Sequence, residues 1–219
     1  MQKILLNFNV KIRVIFILGL LVGLFPASGI SKEKPVILAL GDSLTAGYGV
    51  KEEDSYPYLL QRKVASAGFP HKVINAGVSG DTTAGGVRRI RWLMKHEPEI
   101  VILALGANDG LRGFSAAEIR RNLELMIGVC RKNNARILLA GMKALPNYGA
   151  EYMQEFETVF FELAEKHKLD FLPFLLEGVA GEREHTQPDG LHPVASGYRI
   201  VTDLVWQRLE PMLKPGNGD

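Results

Sequence analysis

Val36-Ile37-Leu38-Ala39-Leu40-Gly41-Asp42-Ser43-Leu44-Thr45-Ala46-Gly47-Tyr48-Gly49 decides how the rest of the chain is read. Its apolar opening, unbroken by polar alternation, is what a strand covered on both faces requires. The run drives into Gly41, where the chain turns with Asp42 and Ser43 at the carboxyl end of the strand. Ligands of open α/β sheets bind outside those ends. A serine there is either an ordinary helix cap or a reactive hydroxyl. Gly-Asp-Ser-Leu is too short a pattern to choose between the two. Later segments supply the choice.

Working outward, apolar runs alternate with helical periodicity. Strands are expected at Val36–Leu40, Lys72–Asn75, Ile100–Leu105, Arg136–Ala140 and Asp170–Leu172. Helices fill the gaps, near Ser55–Ala67, Thr82–His96, Ser115–Asn133, Tyr148–Lys168 and Pro193–Leu213. Ser115-Ala116-Ala117-Glu118 has the form of a capping box, and Pro193 suits a first helical position. Strands joined by single helices give a parallel sheet with helices on both faces. The expected fold class is therefore α/β: a three-layer α/β/α sandwich with a mostly parallel five-stranded sheet in flavodoxin-like order. That topology gathers Ser43, the Asn75–Gly77 loop, the Gly106–Asp109 loop and the loop after Ala140 around one edge. Gln187–Pro193 precedes the last helix and can close over it.

The length of 219 residues suits one domain, expected to span 30–219. Residues 1–29 have the pattern of an export signal: Lys3, Lys11 and Arg13, an uncharged apolar run from Val14 to Phe25, then Pro26-Ala27-Ser28-Gly29. No charge appears between Arg13 and Lys32, so an uncleaved anchor is the alternative, although the apolar run is short of the roughly 20 residues a membrane span needs. A periplasmic or secreted location follows from the first reading. This leader holds three of the 26 basic residues and none of the 24 acidic ones, leaving the remainder with a formal net charge of −1. Such a balance provides no field to steer nucleic acid or an anionic membrane surface. Cys130 is the sole cysteine, which excludes an intrachain disulfide, and its helical surroundings suggest a buried core thiol. The tail Pro215–Asp219 has the composition of a frayed end. No His/Cys spacing resembles a zinc site, and no cofactor is expected.

If Ser43 is reactive it needs a base, a group to orient that base, and donors for a developing oxyanion. Histidine is the side chain that titrates near neutral pH. His71, His96 and His167 fall near helix ends and read as surface residues. His192 follows Asp189 by three positions, with Gly190 permitting a tight turn between them; His185, beside Glu182 and Glu184, is the other candidate base. Asn108 reads either as turn chemistry or as an amide donor to an oxyanion. Gly77 reads either as a turn glycine or as a backbone N–H open to a ligand.

Taken together, Gly41-Asp42-Ser43-Leu44-Thr45, Asn75 to Thr83, Gly106-Ala107-Asn108-Asp109-Gly110, Leu145-Pro146-Asn147-Tyr148-Gly149 and Asp189-Gly190-Leu191-His192-Pro193 resemble the GDSL, or SGNH, hydrolases. Within that family the similarity is to the bacterial branch of thioesterase I, lysophospholipase L1 and arylesterase, from about Val36 to the last helix. The resemblance implies a serine hydrolase of carboxylic esters and thioesters. It makes Ser43 the nucleophile, His192 the base and Asp189 its orienting partner, with an oxyanion hole of the Ser43 N–H, the Gly77 N–H and the Asn108 side chain. Substrates would be small acyl esters or thioesters, lysophospholipid among them. Ala107 stands where many relatives have glycine, which bears on substrate range. The alternatives are a carbohydrate O-deacetylase of the same family and, from another class, a flavodoxin-like module that binds a small anion without catalysis.

Secondary features complete the expectations. Arg88, Arg91 and Lys95 form a basic helical stripe that reads as a solvated face. Trp92 and Trp206 read as packing residues. The loops Leu111–Phe114, Lys143–Tyr148 and Phe174–Thr186 are candidates for an acyl pocket, with Phe114 and Leu145 as probes of it. Asp42 is expected to brace the loop that carries Ser43.

Overall fold

The central strands are those whose sequences carry no alternation. In the computed structural model, which describes residues 34–214, strands β1 (Val36–Gly41), β2 (Lys72–Gly77), β3 (Pro98–Ala104), β4 (Arg136–Ala140) and β5 (Asp170–Leu172) form one sheet. The order is β2-β1-β3-β4-β5 and every pairing is parallel. The continuous apolar runs of β1, β3 and β4 occupy the interior and are buried almost throughout. The more polar β2 and the short β5 are the edges, half-buried and exposed. This is the expected doubly wound order, all parallel rather than mostly so. The export-segment reading of residues 1–29 and the frayed tail at 215–219 lie outside the described residues.

Seven α-helices accompany the sheet among the described residues: α1 (Ser43–Ala46), α2 (Tyr56–Ser66), α3 (Thr83–Leu93), α4 (Ala107–Leu111), α5 (Ala116–Lys132), α6 (Ala150–His167) and α7 (Ala195–Leu213). α2 packs on α7, while α5 packs on both α3 and α6, which gives one group to each face of the sheet. The short helices α1 and α4 were not expected from periodicity, because a single turn of helix has no apolar period to display. Both begin at the carboxyl end of a central strand. The Ser115 hydroxyl caps α5 by accepting the Glu118 N–H, as the capping pattern implies.

Among the boundaries that shift by a few residues, the start of the last helix bears on the site. The last helix begins at Ala195, not Pro193, because Pro193 pairs with Thr186 in an isolated antiparallel bridge and the Val194 N–H donates to the His185 carbonyl at 2.9 Å. The segment before α7 is therefore a closed loop. It holds the Asp189–His192 segment over the sheet edge.

Candidate active site

β1 and the turn at Gly41 deliver Ser43 to the sheet edge as the first residue of α1. A Cβ on Gly41 would overlap the Thr45 side chain and crowd the Ala104 carbonyl, so only glycine lets β1 pass this close beneath α1. Asp42 caps the helix, its Oδ1 accepting the Leu44 N–H at 3.0 Å.

Ser43 Oγ lies 2.9 Å from His192 Nε2, and His192 Nδ1 lies 2.6 Å from Asp189 Oδ2. The second oxygen of Asp189 accepts the N–H groups of Leu191 (2.9 Å) and His192 (3.0 Å). Partial desolvation opposes the charge on Asp189. Hydrogen bonds from the His192 ring and from these two N–H groups outweigh it and hold the carboxyl down at about 2. A charged Asp189 places a proton on His192 Nδ1 and leaves Nε2 to accept from the Ser43 hydroxyl. Tyr48, about half exposed, leans its ring against His192 with centroids 4.7 Å apart.

The loop carrying His192 is fastened at several points. Gln187 N–H donates to the His192 carbonyl at 2.8 Å, and Gln187 Nε2 donates to Pro193 O (3.1 Å) and across to Tyr48 O (2.8 Å). Gln187 thus ties the histidine loop to the chain following the serine. His185, the other candidate base, does not reach Ser43: its Nδ1 is 3.0 Å from Ser196 Oγ and its Nε2 3.4 Å from Glu184 Oε1.

Asn108 lies in α4, with its Nδ2 donating to Asp42 Oδ2 at 3.3 Å. The next residue, Asp109, is fully buried and accepts both the Thr83 N–H (2.9 Å) and the Thr83 hydroxyl (2.6 Å), which locks α4 to the start of α3. Desolvation raises its carboxyl above the ordinary range, against those two bonds.

Gly77 requires a correction. Its N–H, expected to face a ligand, donates to the side chain of Asn75 at 2.9 Å. A Cβ there would strike the backbone of Thr45 and Ala46, so the missing side chain serves close packing of β2 against α1. The turn that follows is a better source of a donor. Asp81 N–H closes it onto Val78 O, while the N–H of Gly80, at φ 80°, makes no hydrogen bond among the described residues. Arg112, just past α4, donates to the Gly80 carbonyl at 3.1 Å and brings this turn beside the helix of Asn108.

Arg89 was not singled out by the sequence. Its guanidinium pairs with Asp81 (2.7 Å) and donates to Ala76 O (2.6 Å) and Gly41 O (2.8 Å), joining the ends of β1 and β2 to the turn. Sequence gave no signal, because Arg89 sits between Arg88 and Arg91, which are exposed as the solvated stripe predicted. Burial of the helix face decides the difference. His71 likewise departs from its surface reading: it is only 8% exposed at the opposite edge of the sheet, 3.3 Å from Glu99. Trp92, expected to pack, is 59% exposed, whereas Trp206 is half-buried beside Phe69. Cys130 is fully buried and its thiol is pushed up to about 12 by desolvation, in keeping with a core role.

A cavity of about 550 Å³ opens from Ser43, Asn108 and His192. All three expected loops line it, through Leu111, through Lys143 to Leu145, and through Phe174 and Leu176 to Gly181. Ala107 also lines it, so the methyl group at that position faces the space a substrate would enter. Phe114 does not line the cavity. Its carbonyl instead accepts the Tyr152 hydroxyl at 2.8 Å. Lys143 sits 4.7 Å above the Phe174 ring and 3.7 Å from Glu177, giving one cationic group to an otherwise largely apolar wall. Among the described residues, no three His, Cys, Asp or Glu side chains group to hold a metal ion.

Residues 39–200 match the model of the GDSL-like lipase/acylhydrolase family. The chain is 39% identical over 178 residues to esterase TesA of Pseudomonas aeruginosa, covering 81% of this chain and 89% of that protein. It is 35% identical over 178 residues to thioesterase 1/protease 1/lysophospholipase L1 of Escherichia coli, covering 81% and 84%. The crystal structure of the psychrotrophic esterase EstA from Pseudoalteromonas sp., inhibited by monoethylphosphonate, superposes with a TM-score of 0.78 at 33% identity, over 82% of this chain and 99% of that one.

Proposed function

The chain belongs to the GDSL-like lipase/acylhydrolase family and is a serine-dependent hydrolase of esters and thioesters, and from that premise we propose that Ser43, His192 and Asp189 carry the reaction. The observation that supports it is the unbroken contact chain Ser43 Oγ, His192 Nε2, His192 Nδ1, Asp189 Oδ2 at 2.9 and 2.6 Å. His192 takes the Ser43 proton as Oγ bonds to the acyl carbon. The carbonyl electron pair moves onto oxygen, where the Ser43 N–H and the Asn108 amide receive it. The third donor is assigned to Gly80 in place of Gly77. Collapse breaks the ester or thioester bond, and His192 returns the proton to the leaving oxygen or sulfur. A water deprotonated by His192 then attacks the acyl-serine and releases the acid. Asp189 keeps the ring in the tautomer and orientation that both proton transfers need.

The cavity wall of Leu111, Leu145, Phe174 and Leu176 suits a hydrocarbon acyl group. Lysophospholipid is placed among the substrates on that ground. Export to the periplasm or medium rests on the pattern of residues 1–29. Among the described residues no helix is long and apolar enough to cross a membrane. Neither the O-deacetylase nor the anion-binding alternative is favoured by the relatives.

The test is a hydrolysis panel: p-nitrophenyl esters of rising chain length, acyl-CoA and lysophospholipid. Turnover is expected on all three classes, with stoichiometric loss of activity on phosphonate labelling of Ser43. Activity that survives complete labelling would overturn the assignment.

A further inference from the structure

The side chain that ties the helix of Ser43 to Asn108 is not part of the Ser–His–Asp chain. Asp42 is fully buried at the cap of α1, and its two oxygens are divided between two elements. Oδ1 accepts the Leu44 N–H, while Oδ2 accepts Asn108 Nδ2 at 3.3 Å. We propose that Asp42 is a positioning residue that selects the orientation of the Asn108 amide and so presents its N–H to the oxyanion. This rests on the assignment of Asn108 to the oxyanion hole.

The selection follows from the chemistry of the two groups. An asparagine amide has a donor end and an acceptor end of nearly equal shape, and a half-turn about its last torsion exchanges them. A neutral neighbour with a rotatable hydroxyl accepts either end. An ionised carboxylate has only acceptors, so Nδ2 must face it and the carbonyl oxygen must turn away. One amide hydrogen is spent on Asp42, and the other remains on the same nitrogen for the substrate oxygen. With the amide reversed, the substrate oxygen would meet a carbonyl. The 3.3 Å separation is at the long end of the hydrogen-bond range.

Capping alone does not explain an aspartate here. Serine or asparagine caps a helix about as well without burying a charge. Burial pushes the Asp42 carboxyl up to about 6, even with the Leu44 N–H, the Asn108 amide and His192 pulling it down. The groups around it are Asn108, His192 and the buried hydroxyls of Tyr56 and Tyr198, neither of which is hydrogen-bonded to it. A destabilising ionisable group is thus kept where a neutral one would cap equally well. Its second oxygen is spent on Asn108.

Asp42→Asn separates this role from a structural one. The new amide needs its oxygen for Leu44 N–H, so its NH₂ faces Asn108 and favours the reversed amide. Turnover should fall on the order of 10²–10³-fold, the scale of a lost oxyanion donor, with KM little changed. Phosphonylation of Ser43 should slow by a similar factor. The melting temperature should not fall, because a buried charge has been removed. In an Asn108→Ala background, Asp42→Asn should add less than about threefold, since both changes act through one amide. Asp42→Ser, which still caps α1 but leaves either orientation of the Asn108 amide open, should lose turnover by more than about threefold but less than Asp42→Asn, and covers the case in which the asparagine variant does not fold. Near-normal turnover in Asp42→Asn or Asp42→Ser, with Asn108→Ala impaired, would overturn the proposal, as would losses that multiply in the double variant. Near-normal turnover in Asn108→Ala would instead remove the oxyanion assignment, and the proposal with it.

Discussion

Two serine–histidine–acid groupings lie within one stretch of this fold, and they are not equivalent. In the first, Ser43, His192 and Asp189 touch in order at 2.9 and 2.6 Å. In the second, His185 contacts Ser196 at 3.0 Å and Glu184 at 3.4 Å. The residue types match, but the surroundings differ. Asp189 is pinned by two backbone N–H groups, whereas Glu184 is 78% exposed on its side chain. The Ser196 hydroxyl donates to the Glu184 carbonyl at 3.2 Å, so its proton is committed to the backbone. Ser43 opens a helix beside Asn108 and a cavity, and neither Ser196 nor His185 lines that cavity. The two groupings differ in the direction of each hydrogen bond and in the donors beside the hydroxyl, rather than in residue class.

Exchanging the two serines tests this most strongly. Ser43→Ala should reduce turnover by about 10⁴–10⁶-fold, as loss of a nucleophile does elsewhere. Ser196→Ala should stay within about twofold on the same p-nitrophenyl ester assay; a comparable loss there would erase the distinction. The acids give a smaller contrast. Asp189→Asn should lower turnover by about 10⁴-fold, because an amide no longer enforces the His192 tautomer, while Glu184→Gln leaves a stopped-flow burst and steady-state rate unchanged.

The smallest effect is on stability and sharpens the comparison from below, since a buried carboxyl underlies the first grouping. Asp42 has its folded value raised to about 6 from 3.8. Its contribution is therefore fully present below 3.8 and lost as pH rises through 6. Relative to Asp42→Asn, the native protein should lose roughly 2–3 kcal/mol between pH 4 and 7. Asp189 works in the other sense: its value is lowered to about 2, so its contribution holds above 3.8 and is lost as pH falls through 2. Urea titrations at pH 4 and pH 7 on the two proteins check the first trend. Parallel stability curves would show that Asp42 titrates alike in the folded and unfolded states, so that burial does not raise its carboxyl.

The sheet was legible because burial on both faces removes alternation. Val36–Leu40, Ile100–Leu105 and Arg136–Ala140 announce themselves as interior strands by that feature alone. Single-helix crossovers then force parallel pairing. The Asp189–His192 contact was legible too, since three residues across a glycine turn fix a short distance. Less visible were α1 and α4, too brief to show a period. His71 and Trp92 were misjudged because the side of a helix or strand end that meets the core depends on its neighbours in space.

Sequence alone determined the strand order class, the hydroxyl at Ser43 and the imidazole with its local acid. These depend on periodicity and on spacings of a few residues, which act within one segment. Tertiary structure decided that His192 and not His185 faces Ser43, that the Gly77 N–H is already taken, and that Arg89 and Asp42 bind groups far from them along the chain. Each of those outcomes turns on which hydrogen-bonding partner the fold brings within reach. A linear pattern carries no record of that until the sheet has brought its loops to one edge.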